Sequence, residues 1–324
     1  MVRMPTDTHP FTQPLRLEPQ YRDYVWGGRA LRLNVPGPTA EMWMIYEHNR
    51  VSHGPFAGKT LAELAGAFPQ ALIGERHAGE AARFPLLIKL LDCADWLSVQ
   101  VHPNDDLARA LEGPQNNGKT EAWHVLRAEP GANIVCGLNP GISQADFSQA
   151  VLSGDVMQTL RRLHMRAGDT VLIRAGTIHA LGPGMMIYEV QQTSDITYRV
   201  YDWDRPASAA RPLHIDKSLR VTDPLLRPEL VHLPDLAPGK RALLAQSEYF
   251  RLERVTPGAQ PLEADTRGRT FHALTALDAP VTISGADWQI DLEKWQSLLI
   301  PAALGAYQLH AADSAHLLCA SLPV

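Results

Sequence analysis

A glutamine and a histidine, Gln100 and His102, stand on either side of a valine within residues 97–105. In a strand, Ser98, Gln100 and His102 share one face, because successive side chains point to opposite sides. The preceding residues 84–96 are too apolar for a surface strand, so the pattern predicts that this polar face lines a cavity. A solvent-facing strand with an incidental histidine is the alternative interpretation.

Glu121 and His179 are the residues that could complete a metal site with Gln100 and His102. Two imidazoles, one carboxylate and one amide oxygen, with no thiolate, suit zinc, while manganese, iron and cobalt are also possible. The spacing of the first two ligands requires a strand, and the remote His179 requires a barrel that brings it back. The other histidines have no such context, and we interpret them as surface or packed residues.

Arg199 lies in an apolar, strand-like stretch of the chain. Burying an arginine is costly unless it meets an anion or a developing negative charge. The pattern therefore indicates either an active-site arginine or a structural ion pair of Arg199 with Asp195 or Asp202.

Short strands are the elements that we expect to position these side chains. Many segments are rich in β-branched and aromatic residues and end at turn residues. These segments are residues 134–138, 170–174, 185–191, 196–201, 250–255, 281–284 and 297–300. The pattern favours a sandwich or barrel over a doubly wound sheet, and no glycine-rich phosphate-binding loop follows a strand.

Helical periodicity is confined to a few segments. Residues 60–77 carry apolar side chains at spacings of three and four, with Thr60 as the expected N-cap and Pro69 dividing the stretch into two short helices. Residues 143–163 show a similar spacing with a Ser-Gly break, and a short helix is expected over residues 105–111.

A weak internal repeat suggests two related β units. Residues 169–179 and 294–306 share a strand–turn–strand rhythm in which Ala306 takes the place of His179. The second unit would therefore lack that metal ligand. Between the two segments, residues 224–240 carry four prolines and mark the predicted boundary.

We therefore expect two domains. The first is a catalytic domain with helical insertions and the metal site, residues 1–224. The second is a smaller β domain without a metal site, residues 225–324.

Composition excludes several functional classes. The 324 residues are 45% hydrophobic and 20% charged with a net charge of -5, which argues against a nucleic-acid or anionic-membrane surface. The longest apolar runs are too short for a membrane-spanning helix. Three cysteines without a C-x-x-C motif, and an N-terminus without an apolar stretch, predict a cytoplasmic protein.

Four segments, in this order, resemble motifs of the type I mannose-6-phosphate isomerases, most closely the short bacterial form. They are QVHPND at 100–105, GKTE at 118–121, AGTIHA at 175–180 and QQTSDITYRVYD at 191–202. The resemblance extends from about residue 24 to residue 217, and beyond residue 225 only the rhythm of the elements is similar.

The resemblance implies a mainly β fold of two cupin-type, or jelly-roll, β-barrels with helical insertions. It also implies one zinc ion per chain, a sugar phosphate as substrate, and a monomer or homodimer. The implied metal ligands are Gln100, His102, Glu121 and His179. The implied catalytic residues are Arg199, Lys119 and Asp195. The residues implied on the phosphate side of the site are Lys89, Ser98 and Trp26.

An aldose–ketose isomerase moves a proton between C1 and C2 through an enediol whose oxygens become negative. Zinc and Arg199 suit the stabilisation of that charge, and the base could be Asp195, Lys119 or a metal-bound water. Two other functions are possible from the residues. A cupin iron oxygenase would use His102, Glu121 and His179 alone, and Gln100 as a fourth ligand disfavours it. A metal-binding sugar-phosphate sensor would not need Arg199 and Lys119.

Overall fold

The computed structural model describes residues 10–75, 83–206, 209, 211–311 and 315–324. The first twelve strands are β1 (Gln20–Arg22), β2 (Glu41–Ile45), β3 (Leu86–Cys93), β4 (Val99–Val101), β5 (Glu121–Ala128), β6 (Asn133–Leu138), β7 (Leu160–His164), β8 (Asp169–Ile173), β9 (His179–Leu181), β10 (Met185–Gln192), β11 (Tyr198–Tyr201) and β12 (Leu230–His232). The later strands are β13 (Lys240–Gln246), β14 (Arg251–Thr256), β15 (Leu262–Asp265), β16 (His272–Ala276), β17 (Val281–Ser284), β18 (Gln289–Leu292), β19 (Ser297–Ile300), β20 (Ala306–His310) and β21 (Leu317–Ser321). The helices are α1 (Leu61–Ala67), α2 (Pro69–Ile73), α3 (Asp105–Glu112), α4 (Gln144–Ser153) and α5 (Ile215–Val221).

The described residues form two compact units. The site unit comprises residues 20–43 and 87–233, and the C-terminal unit comprises residues 1–19, 44–86 and 234–324, in each case without the residues outside the described ranges. The predicted domains had a single boundary, between residues 224 and 225. The two units are divided differently, because the segment with α1 and α2 groups with the C-terminal strands. In that unit α2 packs on the 3-10 helix Ala302–Leu304, a long-range contact that local periodicity does not reveal.

The site unit contains two antiparallel sheets. One has the strand order β1-β2-β3-β10-β5-β8-β12, and the other has the order β11-β4-β9-β6-β7. Leu91, Trp123 and Ile187 of the larger sheet share a core cluster with Ile134 and Leu181 of the smaller one. The two sheets therefore face each other across a hydrophobic core, as a mainly β protein requires.

A second cluster covers the smaller sheet of the site unit. Val101 and Val200 of this sheet pack with Phe147 of α4 and Val221 of α5. The helical segments thus bury apolar side chains that the sheet would otherwise expose.

The C-terminal unit also contains two sheets. Their strand orders are β13-β14-β21-β16-β19 and β15-β20-β17-β18. Leu274 and Leu298 of the first sheet pack with Ile283 and Leu309 of the second.

The strand predictions are confirmed, with small shifts at the ends. β3 and β10 are buried along their whole length, which is typical of the central strands of a covered sheet. β11 begins at Tyr198, two residues later than predicted.

The helix predictions are confirmed in part. Thr60 and Glu63 form a capping box at the start of α1, and Pro69 begins α2. The expected end of this stretch, at residues 76 and 77, lies outside the described residues.

The predicted helix over residues 143–163 is wrong in its second half. α4 ends at Ser153, its C-cap Gly154 has a left-handed φ of 85°, and residues 160–164 form β7. β7 pairs with β6, so hydrogen bonding to a neighbouring strand overrides the helical spacing.

The internal repeat is confirmed in its element boundaries. β8 ends at Ile173 and β9 begins at His179. β19 ends at Ile300 and β20 begins at Ala306. Ala306 therefore begins its strand as His179 does, without an imidazole.

No helix among the described residues is long and apolar enough to cross a bilayer.

Candidate active site and metal centre

The ends of neighbouring strands of the site unit bring the predicted ligands together beside a cavity of about 210 Å³, which Gln100 and Glu121 line. In β4, Gln100 pairs with His179 of β9 on one side and with Arg199 of β11 on the other. His102 follows β4 directly, and Glu121 is the first residue of β5. Strand pairing therefore places residues that are distant in sequence side by side.

His102, Glu121 and His179 form a buried cluster whose ligand atoms all lie within 4.8 Å of one another. Nε2 of His102 lies 3.6 Å from Oε2 of Glu121, and Nε2 of His179 lies 3.4 Å from Oε1. Nε2 of Gln100 lies 3.3 Å from Nε2 of His179, so rotation of the amide would bring its oxygen to the cluster. Three of the four predicted ligands thus form one cluster, and the amide of Gln100 lies beside it.

Hydrogen bonds orient both imidazoles. Nδ1 of His102 donates to the carbonyl of Ile196 at 2.7 Å, and Nδ1 of His179 donates to the carbonyl of Thr177 at 2.8 Å. Each Nε2 is therefore left with a lone pair that faces Glu121, and such bonds typically fix a metal-ligating histidine. Burial lowers the pKa of His179 to about 4. Burial, with the nearby Lys119 charge, lowers the pKa of His102 well below its ordinary value.

The cluster has the donor set of a cation site. Oε1 of Glu121 is buried and accepts no hydrogen bond from any described residue. Burial, with the charge of Glu189, raises the pKa of Glu121 to about 7. Two imidazole lone pairs and an unsatisfied carboxylate oxygen repel one another unless a cation lies between them. The residues present therefore fit a divalent metal ion.

Lys119 lies beside the cluster. Its Nζ is 2.8 Å from Oε2 of Glu121, 3.2 Å from Nε2 of His102 and 3.8 Å from Oε1 of Glu189. These distances place the buried ammonium group close to any substrate that a metal ion at the cluster would hold.

Two carboxylates of the site, Glu41 and Glu189, were not among the predicted residues. Nζ of Lys89 lies 3.3 Å from Glu41 and 3.2 Å from Glu189, and Trp123 donates to Glu189 at 3.0 Å. Burial opposes the charge of Lys89, but these two carboxylates outweigh it and raise the pKa of Lys89 above its ordinary value. The sequence could have indicated both residues, because each is a lone acidic residue in an apolar strand. Burying such a charge is costly unless it has a partner.

We expect Lys89→Met to lower the free energy of unfolding by about 3 kcal/mol or more, because it leaves two buried carboxylates without their shared cation. Urea unfolding of the parent and the variant gives the measurement. Lys59→Met is the matched control, because it removes an exposed pair with Glu63 and should leave stability essentially unchanged. Equal stability of Lys89→Met and the parent would contradict the expectation.

The remaining predicted residues also line the cavity: Trp26, Ser98, Asp195 and Arg199. Ser98 donates to Oε1 of Gln100 at 3.2 Å, and Trp26 is buried. The roles of Lys89, Ser98 and Trp26 in phosphate binding stay predictions.

Arg199 forms no ion pair with a described carboxylate. Asp202 is instead bound by Arg205 and Arg211. Nε of Arg199 is buried without a hydrogen-bond acceptor among the described residues. Burial and the neighbouring Arg211 charge lower the pKa of Arg199. This arrangement does not fit a structural ion pair, and it leaves the guanidinium available to an anionic group in the cavity.

Comparisons with known proteins agree on one family. The model of the phosphomannose isomerase type I catalytic domain matches residues 15–124. The chain is 32% identical over 311 residues to the mannose-6-phosphate isomerase ManA of Bacillus subtilis strain 168, covering 92% of this chain and 96% of that protein.

Solved structures give the same result. The mannose 6-phosphate isomerase from Bacillus subtilis matches with a TM-score of 0.84 and 30% identity, over 95% of this chain and 99% of that one. A zinc-bound mannose 6-phosphate isomerase has the same fold, with a TM-score of 0.78 and 15% identity, over 96% of this chain and 100% of that one.

Proposed function

We propose, because this chain belongs to the type I phosphomannose isomerase family, that it interconverts mannose 6-phosphate and fructose 6-phosphate through an enediol. The observation that carries the proposal is the buried cluster of His102, Glu121 and His179, whose Glu121 lines the same cavity as Arg199. An isomerase needs positive charge where the oxygens on C1 and C2 become negative, and this cavity supplies it.

One zinc ion per chain is the cofactor that we propose, with Gln100, His102, Glu121 and His179 as its ligands. Nitrogen and oxygen donors in this combination suit zinc. The unsatisfied Oε1 of Glu121 and the two oriented imidazoles support this assignment. When bound, such an ion polarises the substrate oxygens as a Lewis acid.

Arg199 is the protein's own charge-stabilising group in this proposal. Its pairing with Gln100 places its backbone beside a metal ligand. Because Nε lacks a described acceptor, the guanidinium can donate to a developing enediolate oxygen without first breaking a bond at that atom. Preorganised donors of this kind lower the barrier without reorganisation during the reaction.

Lys119 and Asp195 are the residues that we propose for proton transfer between C1 and C2. Both line the cavity. The Lys119 ammonium, which contacts Glu121, can donate a hydrogen bond to a substrate oxygen. The Asp195 carboxylate can accept the proton from one of the two carbons and return it to the other.

The test is a coupled assay that follows the formation of fructose 6-phosphate from mannose 6-phosphate. We expect activity from the purified protein, its loss after chelation, and its return when zinc is added. Magnesium added to a parallel chelated sample is the control, because an ion that prefers all-oxygen ligands should not restore activity. No activity in the fully metallated protein would refute the proposed function.

A further inference from the structure

Arg211 is a second arginine on the cavity wall, and the chemistry at C1 and C2 gives it no role. Its Nε and Nη2 donate to the two carboxylate oxygens of Asp202 at 2.8 and 2.7 Å. A guanidinium carries five N–H donors, and no described acceptor receives the others. Asp202 therefore holds the Arg211 guanidinium in one orientation, and its remaining N–H groups can donate to a ligand.

The local backbone places Arg211 beyond Arg199 from the metal cluster. Gln100 lies between His179 and Arg199 in the sheet. His214, three residues after Arg211, is bound to Arg199 twice: its N–H donates to the Arg199 carbonyl at 2.8 Å, and its Nδ1 accepts from the Arg199 N–H at 3.2 Å. The order across the sheet is thus His179, Gln100, Arg199 and then the segment of His214. Arg211 of this segment is anchored to Asp202, which directly follows β11.

Lys89, a buried cation that also lines the cavity, is a poor anchor for a dianion. Its ammonium group lies within 3.3 Å of both Glu41 and Glu189. A phosphate group at Lys89 would meet these two carboxylates at short range, and like charges in a buried site repel strongly. At Arg211 the bound carboxylate, Asp202, also accepts a hydrogen bond from Arg205 at 3.0 Å, so two guanidinium groups balance its charge. Arg205 also pairs with Asp95, whose side chain is 58% exposed. Glu121 and Asp195 are the other carboxylates that line the cavity among the described residues.

We propose that Arg211 binds the phosphate group of the substrate, an inference that rests on the proposed function. In an open-chain hexose 6-phosphate, the phosphate is at the opposite end from C1 and C2. A substrate with C1 and C2 at the ligand cluster passes Arg199 and brings its phosphate to Arg211. The planar fork of a guanidinium matches phosphate oxygens, and Lys89 then serves to hold Glu41 and Glu189.

The test compares Arg211→Gln with Arg205→Gln in the zinc-loaded enzyme. Both variants remove hydrogen bonds to Asp202, two from Arg211 and one from Arg205, but of these two residues only Arg211 lines the cavity. We expect Arg211→Gln to raise KM for mannose 6-phosphate by about 10- to 100-fold with little change in kcat. The reason is that the variant loses a charge-assisted contact to the phosphate that is made equally in the ground state and the transition state. Arg205→Gln should leave both constants near those of the parent. A KM for Arg211→Gln within about twofold of the parent would overturn the proposal.

A binding measurement separates this proposal from the proposed function. Calorimetric titration with inorganic phosphate should show binding to the parent and about tenfold or weaker binding to Arg211→Gln. If the parent lacks isomerase activity, the proposed function fails, and this titration alone decides the role of Arg211. Equal phosphate affinity of the two proteins, or none in the parent, would overturn the proposal. If Arg211→Gln does not fold, Arg211→Lys replaces it in both measurements. This variant keeps the positive charge but loses the planar guanidinium, so we expect a smaller rise in KM and a smaller loss of phosphate affinity.

Discussion

Replacing His179 with alanine is expected to release the metal ion and abolish isomerase activity. His179 is buried, and its Nε2 faces both Glu121 and Gln100. Losing a direct ligand should weaken metal affinity by more than about 100-fold, the upper range for losing only an outer-shell partner. Elemental analysis after dialysis measures the metal content, and the coupled assay measures the activity.

His124→Ala is the matched control for this prediction. His124 is also a buried histidine, and it lies on β5 with Nδ1 2.8 Å from the hydroxyl of Thr170. Its ring is not part of the cluster around Glu121. We expect this variant to retain metal even if it loses stability, so metal release would be specific to His179. Full metal occupancy in His179→Ala would remove His179 from the ligand set.

Replacing Arg199 with alanine is expected to lower kcat by about 100-fold or more while the protein keeps its metal. Removal of one preorganised donor to a developing oxyanion typically has an effect of this size. The Arg199 side chain pairs with no described carboxylate, so its removal leaves no buried charge without a partner. Steady-state kinetics of the metallated variant, with metal content measured in the same sample, test this expectation.

Arg199→Lys separates the two contributions of the side chain. It keeps the positive charge but loses the planar set of donors. We expect its kcat to lie between those of the parent and Arg199→Ala, with the fold intact by circular dichroism. An unchanged kcat in Arg199→Ala would instead mean that Arg199 only supports the structure of β11.

Local patterns in the sequence determined much of this protein. Alternation of polar and apolar residues fixed the shared face of Ser98 and Gln100. Capping and proline chemistry fixed the start of α1 and the division at Pro69. These features depend on neighbouring residues and on the periods of strands and helices, so the sequence alone reveals them. The sequence also suggested Glu121 and His179 as candidate ligands, because metal chemistry restricts the side chains that can serve.

Only the tertiary structure decided which distant residues meet. Gln100 and His179 are 79 positions apart, and Lys89 and Glu41 are 48 apart. No local period encodes these pairings, because they follow from sheet order and register.

The same reason explains the differences from the sequence predictions. Residues 160–164 have helical spacing but form β7, because β6 offers them hydrogen-bonding partners. Glu189 looks like a costly charge in an apolar strand until the fold brings Lys89 to it. The sequence therefore determined the chemical groups and the local elements. The long-range packing of strands decided the charge balance around them, because buried charges are stable only beside partners that the fold supplies.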